Sequence, residues 1–241
     1  MSEDVLDGSG DSVSLNNEAQ VVTVLRESVQ GLWEVVNNLT RLRPTRRPEF
    51  RVTIFGSARI PSDHWVYAAV RDLAAELARM GCAIVTGGGP GLMQAANEGA
   101  ALGKPDARNI GVRVHLPFEQ EVNEFVGEAY THRTFFSRLH HFVLVSDAFV
   151  VVPGGIGTVL EMTMIWQLLQ VRKLSRVPLI LIGRMWFDFI QWGRQFLLRP
   201  EFPLAHPEDL AIPQCVDTAQ QAIAMIRERH QEWLDQSHGP V

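Results

Sequence analysis

The sequence predicts an α/β fold: a doubly wound, Rossmann-like parallel sheet with helices on both faces, plus an N-terminal helix. Three observations predict it. Short apolar runs such as "RVTIF", "CAIVT" and "AFVVV" alternate with longer amphipathic stretches. The runs are continuously apolar rather than alternating, as strands buried on both faces are. Several of them exit into glycine, as strand-to-helix turns at one edge of such a sheet do.

Taken in order, residues 1–18 are acidic, polar and aperiodic, and read as a disordered tail. Residues 19–48 read as a helix and linker: Val22, Leu25, Val29, Leu32, Val36 and Leu39 form an apolar helical seam, and "RLRPTRRPEF" follows it. The seam is too short to demand a free coiled coil, and packing against its own domain or a partner subunit is expected. Residues 49–238 then read as one Rossmann-like nucleotide-binding domain.

Within that domain "RVTIFGS" is the first strand. The helix after Pro61 carries Val66, Ala69, Val70, Leu73, Leu77 and Met80 on one face, and Gly81 stops it. "CAIVTGGGPG" is the second strand with a glycine-rich exit, "LMQAANEGAAL" its helix and "RNIGVRVHL" the third strand. "THRTFFSRLHHFVLVS" reads as a helix capped by Thr131. "DAFVVVPGG" is the fourth strand, with a helix over Thr158–Leu169 behind it. "VPLILIG" is the fifth strand, and an aromatic-rich helix runs from Met185 to Leu198. A short strand is expected near "DLAI", and Asp217 is expected to cap a final helix bearing Ile223, Ile226 and Trp233.

The net charge of −5 argues against a surface that coats nucleic acid. Cys82 and Cys215 show no paired or metal-ligand spacing and read as small core residues of a reducing compartment. No basic-then-apolar leader opens the chain, and no run approaches the ~20 apolar residues of a membrane span. A cytoplasmic protein is expected.

Ligands of such sheets bind beyond the strand exits. Three exits are unusual here: Gly56-Ser57-Ala58-Arg59, Gly87-Gly88-Gly89-Pro90-Gly91 and Pro153-Gly154-Gly155-Ile156-Gly157-Thr158. Glycines let backbone approach an anion, and first-turn amides of a helix point at it. Three such loops at one sheet edge point to a phosphorylated ligand. A Walker A lysine is missing, and "GGGPGLMQA" lacks the last glycine of the dinucleotide fingerprint. A mononucleotide or sugar phosphate fits better than NAD.

Glu161 stands behind the third loop among Val, Leu and Met residues. Thr158-Val159-Leu160-Glu161 satisfies the S/T-x-x-E capping pattern, so the carboxylate has a structural reading. It also has a chemical one, because a carboxylate facing a sugar stabilises an oxocarbenium-like centre or activates water.

Pro153 to Glu161 reproduces the PGGxGTxxE signature, and the chain resembles the LOG ("lonely guy") family, long labelled lysine decarboxylase-like. The resemblance extends through "IFGSARIP", "GGGPGLMQAANEGA" and "SDAFVVVPGG". It implies cleavage of the N-glycosidic bond of a nucleoside 5′-monophosphate, AMP or an N6-substituted cytokinin nucleotide, to free base and ribose 5-phosphate. No cofactor or metal is implied. The nucleoside monophosphate is the expected ligand, a homodimer or higher homo-oligomer the expected assembly, and neither nucleic acid nor membrane an expected partner.

The resemblance also assigns roles. Gly154, Gly155, Gly157 and Thr158 would hold the 5′-phosphate, and Ser57, Gly88, Gly89 and Gly91 would line the ribose or base. Glu161 would meet the ribose and the charge at C1′, and Arg138 would orient it. The family's usual Arg-Lys pair is here Arg138-Leu139, a departure that also leaves open a nucleotide-binding protein without turnover. Lysine-dependent pyridoxal chemistry has little to draw on, because Lys104 and Lys173 both follow helices, away from the strand exits. His140 and His141 lack metal-ligand spacing, and Met162, Met164 and Trp166 read as core or subunit contacts.

Overall fold

The computed structural model describes residues 17–39, 48–115, 122–175 and 177–238. The chain divides into two units, Met1–Arg47 and Pro48–Val241. The first holds α1 (Glu18–Leu39), opened by Asn17, whose Oδ1 accepts from Gln20 N at 3.3 Å. Residues 1–16 and most of the expected linker lie outside the described residues.

In the second unit the apolar runs become β1 (Arg51–Phe55), β2 (Ala83–Thr86), β3 (Asn109–Val114), β5 (Ala148–Val151) and β6 (Leu179–Ile182). With β4 (Glu128–His132) and β7 (Gln214–Val216) they form one parallel sheet in the order β4-β3-β2-β1-β5-β6-β7. Successive strand residues point to opposite faces, so Ile54, Ile84, Val150 and Ile180 enter one core layer. Their neighbours Phe55, Val85, Val151 and Leu181 enter the other.

Helices α2 (Trp65–Arg79), α3 (Leu92–Gly103) and α7 (Ala219–His238) cover the first layer through residues such as Leu73, Leu77, Leu92 and Ile226. Helices α4 (Phe135–Val145), α5 (Ile156–Gln170) and α6 (Arg184–Leu197) cover the second through Phe142, Met162, Ile165 and Trp186. The chain winds outward from β1 in one direction and from β5 in the other. The winding therefore reverses between these paired neighbours, which opens a crevice at their exits.

Three expectations are corrected. Thr131 and His132 do not open a helix but end the edge strand β4, where Thr131 pairs with Arg113 of β3. An edge strand has one ladder partner and here a largely exposed surface, so it needs no continuous apolar run. Thr134 caps α4 instead, its Oγ1 accepting from Ser137 N at 3.2 Å. "DLA" is a single 3-10 turn (Asp209–Ala211), and the last strand follows it. At α7 the cap is Thr218 rather than Asp217: Thr218 Oγ1 accepts from Gln221 N at 3.3 Å, and Gln221 Oε1 accepts from Thr218 N at 3.1 Å. No helix among the described residues is long and apolar enough to cross a membrane.

Candidate active site

The crevice is built from the three glycine-containing exits, and backbone bonds join them. Ser57 N donates to Pro153 O at 3.1 Å, tying the β1 exit to the β5 exit. Leu92 N donates to Ser57 O at 2.8 Å, tying in the start of α3. The Ser57 hydroxyl accepts from Arg59 N at 3.1 Å and so shapes its own turn.

Helix α5 begins at Ile156, two residues earlier than the sequence pattern suggests, and its cap residue Gly155 offers no side chain to cap it. Gly157 and Thr158 therefore belong to the first turn, where amides have no intrahelical partner. A Cβ at Gly155 or Gly157 would meet nothing within 4 Å, so the approach to these amides is open. Gly154 is different. Any side chain there would overlap the Thr158 side chain, which is buried and folds back over the loop.

Because the cap of α5 is Gly155, Thr158 is not its cap, and the S/T-x-x-E capping reading of Glu161 falls away. Glu161 is 7% exposed, and its Oε1 accepts from Arg138 Nη1 at 2.7 Å. Burial pushes the Glu161 carboxyl above the usual carboxylate range, and the Arg138 charge and hydrogen bond pull the other way without cancelling it. Such a carboxylate is a stronger base than one in water.

Arg138 is held from four sides. Besides Glu161, its Nε donates to Val112 O at 2.9 Å, and its guanidinium lies 5.1 Å from the Phe142 ring centroid. Its Nη2 occupies the space a Cβ on Gly87 would need. The guanidinium thus links the β2 exit, the end of β3 and α5. Val112, Gly87 and Phe142 were not singled out in the sequence. Only Gly87 carried a signal, as the first glycine of its loop, because a carbonyl and an i+4 ring contact have no residue signature of their own.

The second loop turns at Gly88 and Gly91, with φ of 71° and 67°, conformations that glycine adopts without strain. Gly88 packs against Gly111 Cα and the Arg113 stem. Leu139, where the family's pair has lysine, is buried. His141 Nδ1 lies 2.8 Å from Nε2 of His132, a histidine the sequence reading passed over. Among the described residues no cluster of three or more His, Cys, Asp or Glu could hold a metal. Lys104 ends α3, and Lys173 follows α5.

A family model described as "Possible lysine decarboxylase" matches residues 93–226, more than half of the chain. The chain belongs to this family, the LOG family of the resemblance above. Among its relatives is the pyrimidine/purine nucleotide 5′-monophosphate nucleosidase of Escherichia coli K12, 27% identical over 180 residues. The match spans 71% of this chain but only 37% of that enzyme. The molybdenum cofactor carrier protein of Chlamydomonas reinhardtii shares the fold with a TM-score of 0.56 at 18% identity, over 75% of this chain and 98% of that one. The molybdenum cofactor binding protein of Rippkaea orientalis does so with a TM-score of 0.55 at 21% identity, over 76% and 98%. At these identities the structural likeness speaks for the fold alone.

Proposed function

We propose that this LOG-family chain hydrolyses the N-glycosidic bond of a nucleoside 5′-monophosphate, AMP or an N6-substituted AMP, giving free base and ribose 5-phosphate. One observation carries the reading. A buried carboxylate, Glu161, fixed by Arg138 at 2.7 Å, stands one turn inside a helix whose first amides carry no side-chain cap.

The 5′-phosphate sits on the amides of Gly155, Gly157 and Thr158, where the helix dipole and free N–H groups favour an anion. Gly154 lets Thr158 fold close, and Ser57 with Gly88, Gly89 and Gly91 lines the ribose and base side. Glu161 then faces the sugar. As the C1′–N bond breaks, positive charge builds at C1′ and the ring oxygen, and the carboxylate stabilises it. Water adds to C1′ and gives one proton to Glu161. The base leaves with the bonding electron pair and takes one proton from solvent, and Glu161 returns its proton to solvent to close the balance. Arg138 keeps the carboxylate in place throughout. Support for the substrate class comes from the nucleotide nucleosidase among the relatives. A homodimeric assembly is part of the proposal, since Ile156 and Leu160 leave an apolar surface on the first turns of α5, with Ile156 87% exposed.

The test is incubation with AMP and N6-substituted AMPs, with free base and ribose 5-phosphate quantified. Glu161→Gln is expected to lower kcat by roughly 10²–10⁴-fold with KM little changed. Nucleotide binding without release of base, in the unaltered chain, overturns the enzymatic reading in favour of a binding protein.

A further inference from the structure

Behind the second glycine loop lies a buried amide network that no step above uses. Asn97, in the middle of α3, is 0% exposed, and both functions of its side chain are engaged. Its Oδ1 accepts from Thr86 Oγ1 at 2.8 Å and from Asn123 Nδ2 at 3.0 Å. Its Nδ2 donates to Asn109 Oδ1 at 2.5 Å. Asn109 in turn donates from Nδ2 to Asn97 O at 2.7 Å and to Phe125 O at 2.9 Å. Every side-chain oxygen in this set has a donor, so the network has one hydrogen-bonding solution and is rigid.

Two of its outer members, Thr86 and Asn123, end on the glycine loop. Thr86 Oγ1 accepts from Gly88 N at 2.9 Å. Asn123 N donates to Gly88 O at 3.0 Å, and Asn123 Nδ2 donates to Gly89 O at 2.9 Å. The Gly88 and Gly89 peptides, which have no side chains to anchor them, are thus held by three bonds from outside the loop. One hub, Asn97, sets the position of two of the groups that make them.

We propose that Asn97 and Asn123 are positioning residues, which fix the Gly88–Gly89 peptides in the orientation that receives the nucleotide. The proposal rests on the nucleotide reading of the site. Neither side chain touches the substrate; Asn97 acts through Thr86 and Asn123, and Asn123 through the loop carbonyls. An asparagine is needed at Asn123 because one amide nitrogen must donate to two acceptors, Gly89 O and Asn97 Oδ1, while its Oδ1 accepts from Phe125 N at 3.3 Å.

That division of labour supplies the test. Asn123→Asp keeps the Oδ1 acceptor for Phe125 and removes both donated bonds, whereas Asn123→Ala removes all three. Steady-state kinetics with AMP in the full chain are expected to show KM raised roughly five- to tenfold in both variants, the worth of about one net hydrogen bond. kcat should stay within about threefold, unlike the kcat loss of Glu161→Gln. Amide hydrogen exchange at Gly88 should quicken in both, with a lower melting temperature, lowest in Asn123→Asp, whose carboxylate faces the Gly89 and Asn97 oxygens. The Asn97–Asn109 side of the network is read separately in Asn97→Ala, where faster Gly88 exchange is expected together with a lower melting temperature. Unaltered KM in Asn123→Asp alongside normal turnover by the wild-type chain overturns the positioning role and leaves the nucleosidase reading standing. A wild-type chain that neither binds nor cleaves any nucleotide overturns the nucleosidase reading, and the positioning role with it.

Discussion

The helices of the domain begin in two ways. Helices α2, α4 and α7 carry side-chain caps: His64 Nδ1 accepts from Val66 N, Thr134 Oγ1 from Ser137 N, and Thr218 trades bonds with Gln221. Helices α3 and α5 begin at Gly91 and Gly155 with none. A capped start uses its free amides on itself and gains stability; a bare start keeps them for something else. Bareness alone does not mark a site, because α6 also begins at an uncapped glycine, Gly183. What separates α3 and α5 is their setting. Both flank the crevice between β1 and β5, Ser57 bonds to residues at both starts, and Arg138 links the loop before α3 to Glu161 on α5.

Removing that link gives the largest expected effect. Arg138→Leu leaves Glu161 buried without its cation, a change that costs roughly 3–5 kcal/mol when one partner of a buried pair is lost. Urea denaturation should report that loss, and base release should fall to background. The double variant Arg138→Leu with Glu161→Leu should recover most of the stability and none of the activity. A double variant no more stable than the single one would mean that the pair's place in the fold rests on something other than its charges.

The contrast between bare and capped starts can be inverted directly. Gly155 has φ −91° and ψ −160°, an extended conformation suited to a capping side chain, and open space around it. Gly155→Asp should cap α5 and raise the melting temperature slightly, a gain of a few tenths of a kcal/mol. The same carboxylate would take the amides proposed for the phosphate and repel it. KM for AMP should rise at least about tenfold, since a hydrogen bond to a charged group carries ~1.5–3 kcal/mol. At the capped start the signs reverse: Thr218→Ala should lose about 1 kcal/mol of stability and leave KM unchanged. Equal KM in Gly155→Asp and the wild-type chain would place the phosphate elsewhere.

Much of this was legible in the sequence, for identifiable reasons. Central strands are buried on both faces, so β1, β2, β5 and β6 each appear as an apolar run. The glycine loops appear because close backbone approach and positive φ leave few alternatives to glycine. β4 did not appear, since an edge strand with one partner and an exposed surface has no such run to show. Nor could spacing separate cap from catalyst at Glu161. Whether Glu161 belongs to a capping box turned on whether Gly155 or Thr158 is the cap of α5, and helix starts are the least certain part of a sequence pattern. The Asn97 network was invisible for another reason: its members are far apart in sequence, and an isolated asparagine in a helix looks like a surface residue.

The smallest expected effect concerns the acidity of Glu161. Burial raises the folded-state pKa of this carboxyl above its ordinary value, so the folded chain holds the proton more tightly than the unfolded one. The stability this contributes is complete below the ordinary carboxylate value and is lost as pH rises through the raised one. At neutral pH that contribution is gone, and Glu161→Gln removes the titration while leaving Arg138 a neutral amide oxygen in place of its anion. The variant should therefore melt below the wild-type protein, with a deficit smaller at pH 7 than at pH 5. Burial lowers the pKa of His132, His140, His141 and His230, which makes both proteins less stable as pH falls through the ordinary histidine value. Those histidines are common to the two chains, so their effect drops out of the difference and the slope that remains belongs to Glu161. A deficit larger at pH 7 than at pH 5 would mean that Arg138 outweighs burial and holds the carboxyl below its ordinary value. Glu161 would then be a weaker base than the proposed chemistry asks of it, a fixed charge on the crevice wall rather than a group poised to take a proton.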